Sequence, residues 1–247
     1  MRKSFRFVGI LLAVIVAVPV GAVVWHFWQW GARLPSAADL ATMTSDSSAL
    51  CRQDGGRPTA SLRDIPKTLI DAFVAAEDKD FWIRSPSNPF LDLVKVTIFH
   101  MPPQPQGITL WLAREVTSCS RAKQEIRGMK GWHESFAIMT YRIDRALPKD
   151  RILEIFLNNI WLGRGTSGVV GTAYGYFGKP LNQLSLSESA FLAALPKRPN
   201  EFDRQPSTAV TQRNVILDRM VAHGDISVAE AEFAKVESLE FVAQRSP

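Results

Sequence analysis

From Phe7 to Trp25 the chain holds only apolar residues, Gly and Pro. No other stretch constrains the fold as strongly. Nineteen residues in a helix reach ~28 Å, about the hydrocarbon thickness of a bilayer. Pro19 is tolerable in such a helix. Arg2, Lys3 and Arg6 precede the run, and Trp25, His26, Phe27, Trp28 and Trp30 follow it as an interfacial belt would. A cleaved signal peptide is the rival, but its apolar core is at most ~15 residues and ends at a small-x-small site, which is missing here. The pattern therefore predicts an uncleaved anchor. Basic residues on one side only put the N-terminus in the cytoplasm and residues beyond about 31 outside.

The anchor also explains the charge. Three of the 29 Lys and Arg lie in residues 1–6 and none of the 24 acids does, so the remainder carries 26 bases against 24 acids. That balance offers no basic face for nucleic acid. The chain has 247 residues, enough to bury a full core without a disulfide scaffold. Cys51 and Cys119 face an oxidising compartment in this topology, where they either pair or stay independent.

Three parts follow from the pattern: a tail and anchor at 1–30, a linker rich in Ala, Ser, Thr, Asp and Gly at 31–62, and a domain at 63–247. The domain reads as mainly α. Ile65, Leu69, Ile70, Phe73 and Val74 form an apolar stripe that ends near Glu77. Prolines break residues 84–107, leaving one short helix around 91–99. A long helix is expected over 125–147 from Met129, Trp132, Phe136, Met139, Ile143 and Ala146. Another follows over Arg151–Trp161, with Phe156, Leu157, Ile160 and Trp161 as core. Ser185 with Glu188, and Ser227 with Glu230, are capping boxes. No alternating strand is evident.

Much familiar chemistry is excluded. The four histidines lack metal-ligand spacing, and neither a P-loop nor a G-x-S-x-G elbow occurs. Ser120–Lys123 matches S-x-x-K but lacks the partner motifs. Glu77 and Asp78 end an apolar helix and meet Phe81 and Trp82. A carboxylate there is either a solvated helix end or a shielded group with a raised pKa, suited to a general base. Lys130 and Glu134, four residues apart, share a helix face; they are either a surface ion pair or part of a site. The run from Lys149 to Gly163, continuing through Gly168-Val169, Tyr176–Lys179 and Leu184–Glu188, reads first as packing.

Taken in order, these segments resemble the peptidoglycan glycosyltransferase domain, glycosyltransferase family 51. Lys149–Pro196 carries the most specific part: it is similar to K-x-x-I-L-E-x-Y-L-N-x-I-Y-x-G and the G-V-x-x-A-A-x-x-Y-F-G-K segment after it. Gln212–Leu217 is similar to R-R-x-x-V-L with one Arg replaced. The chain ends without room for a transpeptidase domain, as in the monofunctional type.

The resemblance implies a lysozyme-like helical domain that polymerises lipid II by inverting transfer, on the periplasmic side of the bacterial inner membrane. Its partners would be lipid II, the growing glycan chain, the membrane and other cell-wall synthases. It implies Glu77 as general base and Glu134 as helper at the pyrophosphate. Asp78, Thr109, Arg114, Lys130, Asn158 and Arg213 would contact substrate. Arg127 joins Lys130 and Glu134 through i, i+3, i+7 spacing. A divalent cation such as Mg2+ at the pyrophosphate would suit this chemistry. The motifs also differ from the family pattern. Arg84 and Pro86 stand for His and Gly of motif one. Gln106-Gly107 and Leu110-Trp111 stand for Ser-Thr and Gln-Gln of motif two, and Gly131 stands for a Lys of motif three. A relative that holds lipid II or a synthase without turnover is the alternative reading.

Overall fold

The structure is a computed structural model that describes residues 17–22, 24–25, 28–29, 31–43, 58–86, 88, 91, 107–119, 132–199, 201 and 205–242. Residues 17–22, 24–25, 28–29 and 31–32 are helical. Val18, Val20, Val24, Trp25 and Trp28 on this stretch are exposed, and the two indoles stack at 5.1 Å. Among the described residues no helix is long and apolar enough to cross a membrane. Residues 1–16 of the expected anchor lie outside them, as do Cys51, the side chain of Cys119 and residues 92–99 of the expected short helix.

The region read as a linker is partly docked. Helix α1 (Ala37–Ala41) opens with a capping box of Ser36 and Asp39. Leu34 and Leu40 are buried in the main core. Arg142 donates to the carbonyls of Gly31, Leu34 and Pro35. Farther on, the backbone of Ala60 exchanges two hydrogen bonds with the Asn158 side chain, and Leu62 N–H donates to Glu154. Two buried leucines and these backbone hydrogen bonds dock a segment whose composition is otherwise linker-like.

Helix α2 (Lys67–Glu77) begins after Pro66, whose fixed φ suits a helix start. It buries Leu69, Ala72, Phe73, Val74, Ala75 and Ala76, so its face is wide enough to be covered from several sides. Helices α3 (Gly107–Cys119) and α4 (Trp132–Ala146) pack together. The long helix expected over 125–147 is described from Trp132. Helix α5 (Lys149–Asn159) starts after Pro148 and packs on α3. Its Phe156 ring meets Phe73 of α2 and Trp111 of α3 edge-on, at 6.1 and 5.2 Å. This aromatic contact joins three helices behind Glu77.

A short hairpin corrects the strand-free expectation. Strands β1 (Trp161–Gly163) and β2 (Thr166–Ser167) pair antiparallel through a turn with positive φ at Gly163, Arg164 and Gly165. A Cβ on Gly163 would lie 1.9 Å from the Pro199 carbonyl oxygen, so both conformation and space require glycine there. Strands of three and two residues are too short for alternation to show. Phe156, Leu157 and Ile160 are buried as expected, but Trp161 is 37% exposed because it lies on the outer side of β1.

Helices α6 (Val169–Phe177), α7 (Leu186–Ala194), α8 (Pro206–His223) and α9 (Val228–Val236) complete the fold. Both capping boxes read from sequence form, at Ser185–Glu188 and Ser227–Glu230. Helix α2 lies against α7 and α8. The C-terminal helices therefore reach the residues at its end.

Candidate active site

Glu77 is the last residue of α2, and Asp78 leaves the helix with φ −160° and ψ 73°. The chain then turns: Phe81 N–H bonds the Asp78 carbonyl, while the N–H groups of Ile83 and Arg84 bond that of Asp80. Phe81 is buried, its ring 5.0 Å from that of Trp82. Lys149, at the start of α5, donates to the carbonyls of Trp82 and Arg84 at 2.7 and 2.6 Å. This pinned loop brings Arg84 back under the helix end. Its Nη1 donates to Asp78 Oδ1, and its Nη2 lies 3.5 Å from Thr109 Oγ1.

The first turn of α3 closes on the same point. The backbone N–H of Ile108 faces the Asp78 carboxylate and favours its charged form. A Cβ at Gly107 would sit 2.1 Å from the Glu77 carbonyl oxygen, so only glycine permits this approach. The Gly107 departure from motif two therefore has a steric reason in this chain.

Glu77 and Asp78 line a cavity of about 570 Å³ with Lys79, Asp80, Arg219 and His223. Arg219 is placed by its hydrogen bond to the Ala76 carbonyl at 3.0 Å. Glu77 Oε1 and Asp78 Oδ2 are buried and have no hydrogen-bond partner among the described residues. Burial pushes the Glu77 carboxyl above its ordinary pKa. The charges of Lys197 and Arg219 pull it down without cancelling the rise, and neighbouring Asp78 adds to it. Asp78 is also raised by burial, against the opposing pull of Arg84. A carboxylate whose pKa is raised by burial is a stronger base than a solvated one, which suits it to accept a proton from a group bound in the cavity.

The other sequence-derived site residues divide clearly. Thr109 is buried beside Arg84. Arg114 is exposed on α3, its guanidinium 5.7 Å over the Phe136 ring. That contact brings it to the helix carrying Glu134. The Glu134 side chain, Arg127 and Lys130 lie outside the described residues.

Asn158 and Arg213, read as substrate contacts, bond to other parts of the protein in the structure. The Asn158 amide donates to the carbonyls of Ala60 and Glu154, which uses both its hydrogens. Arg213 donates to Ser187, Asn214 and the carbonyls of Lys235 and Glu237. Arg84, Lys197, Arg219 and His223 were not legible as site residues. Arg219 lies two positions beyond the recognised Gln212–Leu217 segment, which is the one signal that pointed towards it. Among the described residues there is no group of three or more His, Cys, Asp and Glu that could hold a metal ion.

The family model described as Transglycosylase matches residues 108–221. A Cupriavidus necator protein assigned as a transglycosylase is 38% identical over 181 residues, covering 71% of this chain and 75% of that one. Penicillin-binding protein 1A of Rickettsia felis is 30% identical over 251 residues, 95% of this chain and 31% of that protein. The crystal structure of penicillin-binding protein 1A from Haemophilus influenzae is similar at 29% identity, with a TM-score of 0.44, over 75% of this chain and 18% of that one. The chain thus spans under a third of the length of the penicillin-binding proteins that it matches.

Proposed function

This chain belongs to the transglycosylase family, and from that premise we propose that it is a peptidoglycan glycosyltransferase that polymerises lipid II. The 4-hydroxyl of the acceptor sugar attacks the anomeric carbon of the growing chain's terminal sugar. A new C–O bond forms there as the bond to the lipid pyrophosphate breaks, and the configuration inverts. The hydroxyl proton passes to Glu77. Lysozyme-like is the fold type this reading assigns to the helical body.

One observation carries the proposal: Glu77 has a buried, unpartnered oxygen at a cavity wall, with its pKa raised by burial. A base tuned towards the operating pH is what removal of a sugar hydroxyl proton requires. The leaving pyrophosphate needs cations where negative charge develops. Arg114, Arg127 and Lys130, with Glu134, are assigned that role. The substrate's lipid tail calls for a membrane-adjacent site. The exposed side chains of Val18, Val20, Val24, Trp25 and Trp28 and the apolar run in the sequence before them support a single-pass anchor, with the domain on the periplasmic side of the inner membrane.

The test is incubation of the full chain with labelled lipid II, followed by separation of glycan products on a gel. Polymerisation should occur, and Glu77→Gln should slow it by ~10²–10⁴-fold while lipid II binding persists. A wild type that binds lipid II without extending it would replace this reading with that of a membrane-anchored accessory protein.

A further inference from the structure

Glu77 is only as well placed as the joint between α2 and α3, and a single guanidinium ties that joint. Arg84 and Asp78 are both buried, with side-chain exposures of 5% and 2%, and they form a direct ion pair. The other arm of Arg84 approaches Thr109 Oγ1 in the first turn of α3. Ile108 N–H reaches the same Asp78 carboxylate, and Gly107 rests against the Glu77 carbonyl. Behind the loop, Lys149 fixes the carbonyl of Arg84 itself. Thus Arg84 touches both helices, and its own backbone is held from a third.

A forked, planar guanidinium can bridge a carboxylate and a hydroxyl at once, whereas an ammonium is a single point charge. Buried charge also raises the cost of disorder, because an unpaired ion in this setting is strongly disfavoured. The pair therefore has one favoured arrangement, and that arrangement sets the backbone on both sides of Glu77. We propose that Arg84 is a positioning residue: by clamping Asp78 to Thr109 it locks the start of α3 onto the end of α2 and holds the Glu77 carboxylate unpartnered at the cavity wall. This inference rests on Glu77 being the base of the reaction proposed above. Arg84 acts through Asp78 and Thr109 and meets no reacting atom. The Arg84 and Gly107 departures from the family motifs are then one coupled change, glycine permitting the close approach and arginine fixing it.

The experiment compares kcat and KM for lipid II in wild type, Arg84→Ala, Arg84→Lys and Thr109→Val, all as full chains, with thermal melts and lipid II binding measured in parallel. Arg84→Ala should lose about 10²-fold in kcat, the usual cost of misplacing a reacting group by ~1 Å, with KM within about twofold. Arg84→Lys should recover part of that loss, since it restores the charge and not the fork. Thr109→Val, which removes only the second arm, should lower kcat several-fold at unchanged KM. If Arg84→Ala does not fold, the Lys and Val variants decide the matter, and wild-type kcat in both overturns the proposal. A rise in KM at constant kcat would make Arg84 a substrate contact instead. An inert wild type would sink the parent reading and this inference with it. An active wild type whose kcat survives Arg84→Ala would sink this inference alone.

Discussion

Two of the described arginines lie deep in this molecule, and their surroundings differ in kind. Arg84, at the end of α2, is paired with a carboxylate. Arg213, on α8, is 1% exposed and is met by the Ser187 hydroxyl, the Asn214 amide oxygen and two backbone carbonyls. Those carbonyls, of Lys235 and Glu237, belong to the C-terminal end of α9, where the helix dipole is negative. Arg213 is therefore hydrogen-bonded by neutral groups, with the charge of Glu237 nearby, and joins α7, α8 and α9. Near Arg84, Glu77 and Asp78 line the cavity, and each keeps one buried carboxylate oxygen without a partner among the described residues. A buried cation is thus no mark of a site by itself. The mark is an unsatisfied acidic pair lining a cavity beside it.

Substitutions can sharpen or break this contrast. The largest effect should come from Arg213→Ala, which strands several buried acceptors at once. A loss of about 4–5 kcal/mol is expected by denaturant titration, with little change in activity per folded molecule. Because its partners are hydroxyl, amide and carbonyl groups, that loss should be flat between pH 5 and 8. A large kcat defect in the folded fraction would erase the distinction between the two arginines. Next, Phe156→Ala should cost about 3–4 kcal/mol, since the ring is buried between Phe73 and Trp111. An unchanged melting temperature would mean that the joint behind Glu77 does not depend on aromatic packing.

The third test uses pH. Burial raises the Glu77 carboxyl above its unfolded value, so the ionised group opposes folding. That penalty is absent below the ordinary carboxylate range and grows as pH rises through the folded pKa. Glu77→Gln should therefore melt higher than wild type at neutral pH, with the gain vanishing as pH falls to ~4. A gain that grew on acidification would have the wrong sign for a buried, unpartnered acid. The smallest effect belongs to the N-cap of α9. Ser227→Ala should cost ~1 kcal/mol. Combined with Arg213→Ala it should fall short of additivity, because both act on the same helix. Strict additivity would separate the Arg213 staple from the order of α9.

Local rules made a good part of this molecule legible. Leu69, Phe73 and Val74 read as a buried stripe and are buried. Ser185 and Ser227 read as caps and form both halves of their boxes. Glu77 read as either a solvated end or a shielded carboxylate, and the second description fits. Helical period and capping act within about four residues, so the sequence alone carries them. The docked segment around Leu34 and Leu40, the hairpin after Ile160 and the exposure of Trp161 depend on what lies opposite, which composition does not encode.

Partners of polar side chains were decided last. Asn158 carries donors and an acceptor wherever it sits, but its bonds go to Ala60, 98 residues away. Arg213 bonds Ser187, 26 residues away, and Arg84 approaches Thr109 across 25. Residue type fixes what a side chain can bond. Only the packed helices determine which partner reaches it first, and they leave one buried oxygen each of Glu77 and Asp78 without a donor among the described residues.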